Sequence, residues 1–254
     1  MYPVPWKGVR TVMRYLIIPC LVLTGLATLA PGQEKGGAPA GPSVTIALGS
    51  RHGHASPAQQ GFSHTGGANI DVAQPSPDTV VVTMTGVAVA GGHPSKESLA
   101  ALSFDLEQTF EVRLEDAKLK RAKLTLEARV IGVLRSHTRG FAEQGQACAS
   151  VIGEGGPAIS VCAPPHSVSA GENLSINCRE GPVAGPVAAG TYTLHQTLCV
   201  RATHPRSLLP CKAASAEFAP DPALDPLWIS YWEPFHGAAK KDFGFQITIR
   251  VAPE

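Results

Sequence analysis

The chain has 254 residues, a formal net charge of +1 and only 16% charged residues. Its 44% hydrophobic content excludes wholesale disorder, and its charge excludes a nucleic-acid binder that works by bulk positive charge. The chain has 26 glycines and 22 prolines, which together form a larger share of its residues than the usual combined share of about 12%. Part of the chain is therefore expected outside a folded core.

Residues 1–32 have the pattern of a secretory signal peptide. Three basic residues precede an uncharged apolar run over residues 15–30. As a helix this run would span about 24 Å, short of the roughly 30 Å of a bilayer core. We predict an exported protein of the periplasm, the cell envelope or the extracellular space, with no stable membrane span after cleavage.

Residues 33–78 read as a flexible linker. They hold eight glycines, five prolines and a single aromatic residue, so they offer little apolar surface to offset the loss of chain entropy on folding. The exception is the segment 43–48. Its alternation of Val44, Ile46 and Leu48 predicts a strand that adds to a sheet formed further along the chain.

Residues 79–254 show the period-two alternation of β-strands with one buried face. Further strands are expected at 147–152, 159–162, 174–178 and 191–202. Eight or more short strands without long amphipathic helices predict an all-β, antiparallel β-sandwich. The apolar positions that define the three clearest strands are Phe104, Leu106, Phe110, Val112 and Leu114, then Leu124, Leu126, Ala128, Val130 and Leu134, and finally Phe243, Phe245, Ile247, Ile249 and Val251.

A basic cluster separates the first two of these strands and consists of Lys118, Lys120, Arg121 and Lys123. It lacks the interleaved aromatic side chains on which nucleic-acid bases stack. We interpret it as a hairpin tip that protects a sheet edge or aids solubility, and we predict no nucleic-acid partner.

The sequence Gly190-Thr-Tyr192 before an alternating strand resembles the tyrosine corner of immunoglobulin-like sandwiches. In that motif the phenol bonds back to the backbone at a sheet corner. The usual acidic residue four positions earlier is Ala188 here, and the usual cysteine two positions later is Leu194. The resemblance therefore implies a sandwich that is immunoglobulin-like in a loose sense and no particular family.

Loss of Cys20 with the signal peptide would leave five cysteines, of which at least one has no disulfide partner within the chain. We favour a bridge between Cys199 and Cys211, which bracket a short loop, and next a bridge between Cys162 and Cys178. Other pairings stay open. The absence of Cys-x-x-Cys argues against zinc ribbons and thioredoxin-type chemistry.

Three histidines, His52, His54 and His64, fall close together in the linker. In an extended segment, His-x-His places two imidazoles on the same side, where they could bind copper or zinc. We interpret the group as part of a solvated linker, with a metal site formed by the three histidines as the alternative.

An aromatic cluster lies near the C-terminus. Trp228, Tyr231 and Trp232 have the i, i+3, i+4 spacing of one helical face, which favours packing on a sheet. The alternative is a platform that binds a carbohydrate or a protein partner, since flat rings with a polar tip suit both.

No catalytic motif is present: Gly-x-Ser-x-Gly and His-Glu-x-x-His are both absent. We predict an exported, non-catalytic β-sandwich without a cofactor, which serves as a binding or structural module of the cell envelope or of a secreted assembly, with an unknown protein or carbohydrate partner. Two alternatives stay open. One is a carbohydrate-binding module that uses Trp228, Tyr231 and Trp232, and the other is a metal-binding protein or hydrolase whose site is assembled only in three dimensions.

Overall fold

The computed structural model describes residues 43–92, 94–136, 139–154, 159–207, 214–219 and 243–254. These residues form two antiparallel six-stranded sheets packed together, which confirms the predicted all-β sandwich. The strands are β1 (Val44–Gln60), β2 (Ser63–Ser76), β3 (Thr79–Ala90), β4 (Ser98–Leu114), β5 (Ala122–Arg135), β6 (Phe141–Gly153), β7 (Ile159–Ala163), β8 (His166–Ser169), β9 (Asn173–Val187), β10 (Gly190–His204), β11 (Ala214–Phe218) and β12 (Gly244–Pro253).

The first sheet has the strand order β1-β4-β10-β6-β7, and β8 pairs with the part of β6 that β7 leaves free. In the second sheet β3 pairs with β2 on one side and with β11 and β12 on the other. Both β11 and β12 also pair with β5, which in turn pairs with β9. The strands β1 and β2 therefore lie at sheet edges.

The core lies between the two sheets and follows the predicted alternation. Leu114 is half-buried, and Phe243 is buried with Ile131 and Val133 in a smaller cluster. Burial of one large apolar side chain stabilises the fold by about 1.5–3 kcal/mol, so these faces dominate the stability. The other predicted positions are all in the main core: Phe104, Leu106, Phe110, Val112, Leu124, Leu126, Ala128, Val130, Leu134, Phe245, Ile247, Ile249 and Val251.

The prediction of a flexible linker over residues 33–78 is wrong for residues 44–76, which form β1 and β2. The predicted strand at 43–48 is present as the beginning of β1. Both strands gain backbone hydrogen bonds by pairing with β4 and β3, and this gain does not depend on apolar side chains of their own. Their prolines are tolerated because an edge strand has one unpaired side.

The connection between β4 and β5 crosses from the first sheet to the second, so the basic cluster at 118–123 is not a hairpin tip. The turn is held by the side chain of Asp116, whose Oδ1 accepts a hydrogen bond from the backbone N–H of Lys118 at 2.9 Å. Leu119 is half-buried and packs against the core.

The strands β11 and β12 both lie between β3 and β5, one after the other along the length of those two strands. Phe218, at the end of β11, lies opposite Gly86, and Phe245 in β12 lies opposite Met84. The predicted aromatic cluster at 228–232 comes between β11 and β12 in the sequence and lies outside the described residues. The predicted signal peptide at 1–32 also lies outside the described residues. Where the structure describes the chain, it contains no helix long and apolar enough to span a membrane.

The predicted tyrosine corner has the expected hydrogen bond. The hydroxyl of Tyr192 donates to the carbonyl oxygen of Ala188 at 3.0 Å. The ring of Tyr192 also stacks on Phe110, with ring centroids 5.8 Å apart. The residue therefore ties the start of β10 both to the preceding turn and to β4.

The disulfide differs from the predicted pairing. Cys162 in β7 is bonded to Cys148 in β6, and the two residues lie directly opposite each other with their Cα atoms 4.0 Å apart. Cys178, its predicted partner, is a free thiol on β9 in the other sheet. Cys199 is also a free thiol, and its predicted partner Cys211 lies outside the described residues.

We expect Tyr192→Phe to lower the free energy of unfolding by about 1 kcal/mol, because it removes the hydrogen bond to Ala188 and keeps the ring. Urea unfolding of the two proteins measures this difference. Tyr192→Ala also removes the contact with Phe110 and should cost more. Equal stability of Tyr192→Phe and the wild type would show that the hydrogen bond contributes nothing.

Replacing both Cys148 and Cys162 by serine should lower the free energy of unfolding by about 2–3 kcal/mol, since the bond closes a loop of roughly 15 residues in the unfolded chain. Urea unfolding under non-reducing conditions measures the change. Cys199→Ser is the matched control, because Cys199 faces the same side of the same sheet without a disulfide, and it should change stability little. Labelling of Cys148 and Cys162 by a thiol reagent without reductant would contradict the assigned bond.

Candidate functional site

The strand β1 contains a β-bulge that reverses which of its side chains face the core. Residues 49–50 together lie opposite the single residue Thr109 of β4. Before the bulge, the even-numbered Val44 and Ile46 are buried. After it, the odd-numbered Ala55 packs against the core, so the even-numbered residues of this part of β1 face outward.

The buried amide of Gln108 holds the bulge in place. Only 3% of this residue is exposed, and its Nε2 donates to the carbonyl oxygens of Gly49 at 3.2 Å and Ser50 at 3.1 Å. The same nitrogen contacts the carbonyl oxygen of Thr109 at 2.8 Å. A side chain at Gly49 would collide with that of Thr109. Gln108 thus satisfies backbone groups that the bulge removes from the regular ladder.

Because of the bulge, two histidines point outward beside the acidic residues of β4. His52 lies opposite Glu107, and His54 lies opposite Asp105. The next strand, β10, places His195 on the other side of Glu107. We call these five residues the histidine–carboxylate face.

The contacts within the histidine–carboxylate face are polar and accessible to solvent. Nδ1 of His195 lies 3.4 Å from Oε1 of Glu107, and the two side chains are 40% and 59% exposed. Nε2 of His54 lies 2.9 Å from the hydroxyl of Ser56. A hollow of about 210 Å³ is bordered by His52, Gly53, His54, Asp105 and Glu107.

These side chains are not needed to hold the sheet together. Exposed ion pairs contribute about 0–1 kcal/mol, and cross-strand pairs of opposite charge about 0.2–1 kcal/mol. In their present orientation, no three His, Cys, Asp or Glu side chains of the described residues lie at a spacing that would hold a metal ion. The backbone brings the groups together, while their exposed side chains can turn toward a ligand.

The structure separates His64 from the other two histidines of the predicted metal site. Residues 61–62 carry the chain from β1 to β2, where Gly61 has a φ of +73° that favours glycine. His64 then lies in β2 of the second sheet, opposite Val89. Of the predicted set, only His52 and His54 share the histidine–carboxylate face.

Among the described residues, the two free thiols, Cys178 and Cys199, show no arrangement typical of a nucleophile. Burial raises the pKa of the Cys178 thiol, which disfavours the reactive thiolate. Sγ of Cys199 lies 3.5 Å from the hydroxyl of Ser103, a neutral partner. Trp228, Tyr231 and Trp232, the predicted carbohydrate platform, lie outside the described residues.

A wider groove of about 590 Å³ lies on the outer face of the second sheet, over β2, β3 and β12. It is bordered by small and polar side chains, including Asn69, Thr83, Thr85 and Gln246. At one end it reaches Ala219, the last residue described before residues 220–242. The histidine–carboxylate face, in contrast, lies on β1, β4 and β10, which are described throughout.

The sequence pattern predicts His52 and His54 as candidate ligands, but the alternation of β4 indicates of Asp105 and Glu107 only that they face solvent. The spacing His-x-His in one strand and Asp-x-Glu in another is a signal that matching pairs could meet. The register that pairs His52 with Glu107 and His54 with Asp105 depends on how the two strands align, which the sequence of either strand alone does not show.

No protein-family model matches the chain, and a comparison with curated proteins found no match either. We therefore infer function from the geometry of the histidine–carboxylate face.

We expect Gln108→Leu to lower the free energy of unfolding by about 1–3 kcal/mol, because the Gly49 carbonyl loses the amide donor and the Ser50 carbonyl keeps only the hydroxyl of Thr109. Amide hydrogen exchange in residues 49–60 should become faster as the pairing of β1 loosens. Gln144→Leu is the matched control, since Gln144 is also buried and its Nε2 donates to Gly145 in an irregular stretch of β6. That variant should leave exchange in residues 49–60 unchanged, and an unchanged rate in Gln108→Leu would contradict the role of Gln108.

Proposed function

We propose that the protein is an exported, non-catalytic β-sandwich module that binds its ligand on the histidine–carboxylate face. The observation that carries this proposal is the convergence of three imidazoles and two carboxylates on three adjacent strands. Such groups can serve as hydrogen-bond partners and as metal ligands.

The shape of the face favours binding over catalysis. Catalysis gains most where water is excluded and charges act in a low dielectric. The histidine–carboxylate face is open to solvent, and its hollow of about 210 Å³ is smaller than the roughly 300–1,000 Å³ of typical small-molecule sites. A small ion or a single polar group of a larger partner fits this hollow.

Export is supported by two independent features. The first is the signal-peptide pattern of residues 1–32. The second is the disulfide between Cys148 and Cys162, with Cys162 exposed to solvent. Disulfides form and persist in oxidising compartments and are rare in the cytosol, where thiols are kept reduced.

A ligand screen by thermal unfolding tests the proposal. The full-length chain is expressed in a secreting host, and the intact mass of the exported product should lack about the first 30 residues. Wild type is then melted with zinc, copper or calcium salts, soluble oligosaccharides, and acidic or basic peptides. A ligand at one hundred times its Kd stabilises the fold by about 2.7 kcal/mol, which raises Tm by several degrees.

The variant Asp105→Asn/Glu107→Gln keeps the shape of the face and removes its negative charge, so it should abolish the increase in Tm. Asp71→Asn is the matched control, because Asp71 is an exposed carboxylate on the other sheet, and it should keep the increase. The proposal fails if no ligand class raises Tm, or if the double variant responds as the wild type does.

A further inference from the structure

We infer that the histidine–carboxylate face binds one divalent transition-metal ion of the zinc or copper type. In this site His52 and His54 supply imidazole ligands, and Glu107 and Asp105 supply carboxylate ligands. The inference rests on the proposed function and deepens it, because it names the ligand class of the same face.

The backbone gives the four ligands a suitable spacing. Residues two apart on a strand lie on the same side with Cα atoms about 6.6 Å apart, and directly opposed residues have Cβ atoms about 4.5–5.5 Å apart. His52 and His54 form one edge of this quadrilateral, and Glu107 and Asp105 form the other. An ion above its centre is within reach of two imidazole nitrogens and at least one carboxylate oxygen, at bond lengths of about 2.0–2.2 Å.

The donor atoms select the kind of metal. Imidazole suits zinc and copper, whereas calcium and magnesium prefer sites built from oxygen alone. Two carboxylates offset the charge of a divalent ion when the imidazoles are neutral. The site is solvent-exposed, so the ion keeps part of its hydration.

The side chains must turn to bind the ion, and the present contacts allow this. His54 has to give up its contact with Ser56, and this residue pair is exposed. Glu107 can bind through one carboxylate oxygen while the other stays near His195. The bulge and the amide of Gln108 already fix the outward direction of β1, so the adjustment is confined to exposed rotamers.

His195 has a different role in this site. It lies across Glu107 from His52, with Nδ1 3.4 Å from a Glu107 oxygen. Carboxylates that bind metals are themselves commonly held by a hydrogen bond, which orients them and tunes their affinity. His195 is therefore a positioning residue for Glu107.

Isothermal titration calorimetry of the full chain, purified without a polyhistidine tag, tests the site with zinc, copper, calcium and magnesium salts. We expect one zinc or copper ion per chain at this site and weak or no heat with calcium and magnesium. His52→Ala/His54→Ala should weaken zinc binding at least tenfold and remove the nitrogen hyperfine pattern from the electron paramagnetic resonance spectrum of bound copper. His64→Ala, which changes an exposed histidine on the other sheet, is the matched control and should bind as the wild type does.

Two further variants separate the roles of the residues. Asp105→Asn/Glu107→Gln should also weaken zinc binding at least tenfold, and it provides a second test if the double histidine variant folds poorly. His195→Ala should weaken zinc binding about tenfold at unchanged stoichiometry, within the usual effect of losing such a partner. His195→Gln keeps a hydrogen-bond donor and should restore part of the affinity.

The inference is overturned if the wild type binds neither zinc nor copper at micromolar concentrations, or if either double variant binds both metals as tightly as the wild type. These results are distinguishable from failure of the proposed function. A peptide or an oligosaccharide that raises Tm through the face would keep the binding function and exclude the metal. Circular dichroism and urea unfolding of each variant show whether a loss of binding reflects loss of the fold.

Discussion

The hydrogen bonds from the Gln108 amide to the carbonyl groups of Gly49 and Ser50 decide what the outer face of the first sheet contains. They stabilise a bulge with one extra residue, and one extra residue turns every later side chain of β1 to the opposite side. Without it, His52 and His54 would point toward Phe104 and Leu106 in the core. The bulge is stabilised locally, because carbonyl groups that no longer pair with the neighbouring strand need other hydrogen-bond donors. Its effect on the direction of the side chains extends over the ten following residues of β1.

Buried glutamines have a similar role elsewhere in the sandwich. Gln144 is fully buried where β6 departs from its regular pairing with β10, and its amide donates to the carbonyl of Gly145. Gln196 points inward from β10 and donates to the carbonyl of Phe245 in the second sheet, at 3.0 Å. In an apolar interior a hydrogen-bond partner offsets part of the cost of burying a polar group, and here the amide nitrogen of each residue has one, whereas Oε1 of each has none among the described residues. The bond from Gln196 to Phe245 joins a strand of one sheet to a strand of the other, and it specifies a relative position that apolar side chains alone leave less well defined.

The strand β4 links stability and function. Its even-numbered residues form part of the core, and its odd-numbered residues present Asp105 and Glu107 to solvent. Because β1 and β10 pair with β4 on both sides, the candidate ligands sit on a hydrogen-bonded scaffold and not on a loop. A site on paired strands keeps its backbone geometry while exposed side chains change rotamer, which suits binding to a small ion.

The sequence by itself determined the sandwich class, the buried faces of β4, β5 and β12, and the corner at Tyr192, because these depend on alternation within one segment. It also singled out His52 and His54. The composition of residues 44–76 wrongly predicted a flexible linker, because an edge strand is stabilised by the backbone of its neighbour more than by its own side chains. Only the tertiary structure decided the cysteine pairing, the separation of His64, and the meeting of His52 with Glu107 and of His54 with Asp105. The cysteine pairing and the place of His64 depend on which strands are neighbours and on their register. The two histidine–carboxylate pairs depend on the register between residues about fifty positions apart, and on a one-residue bulge that a distant glutamine stabilises.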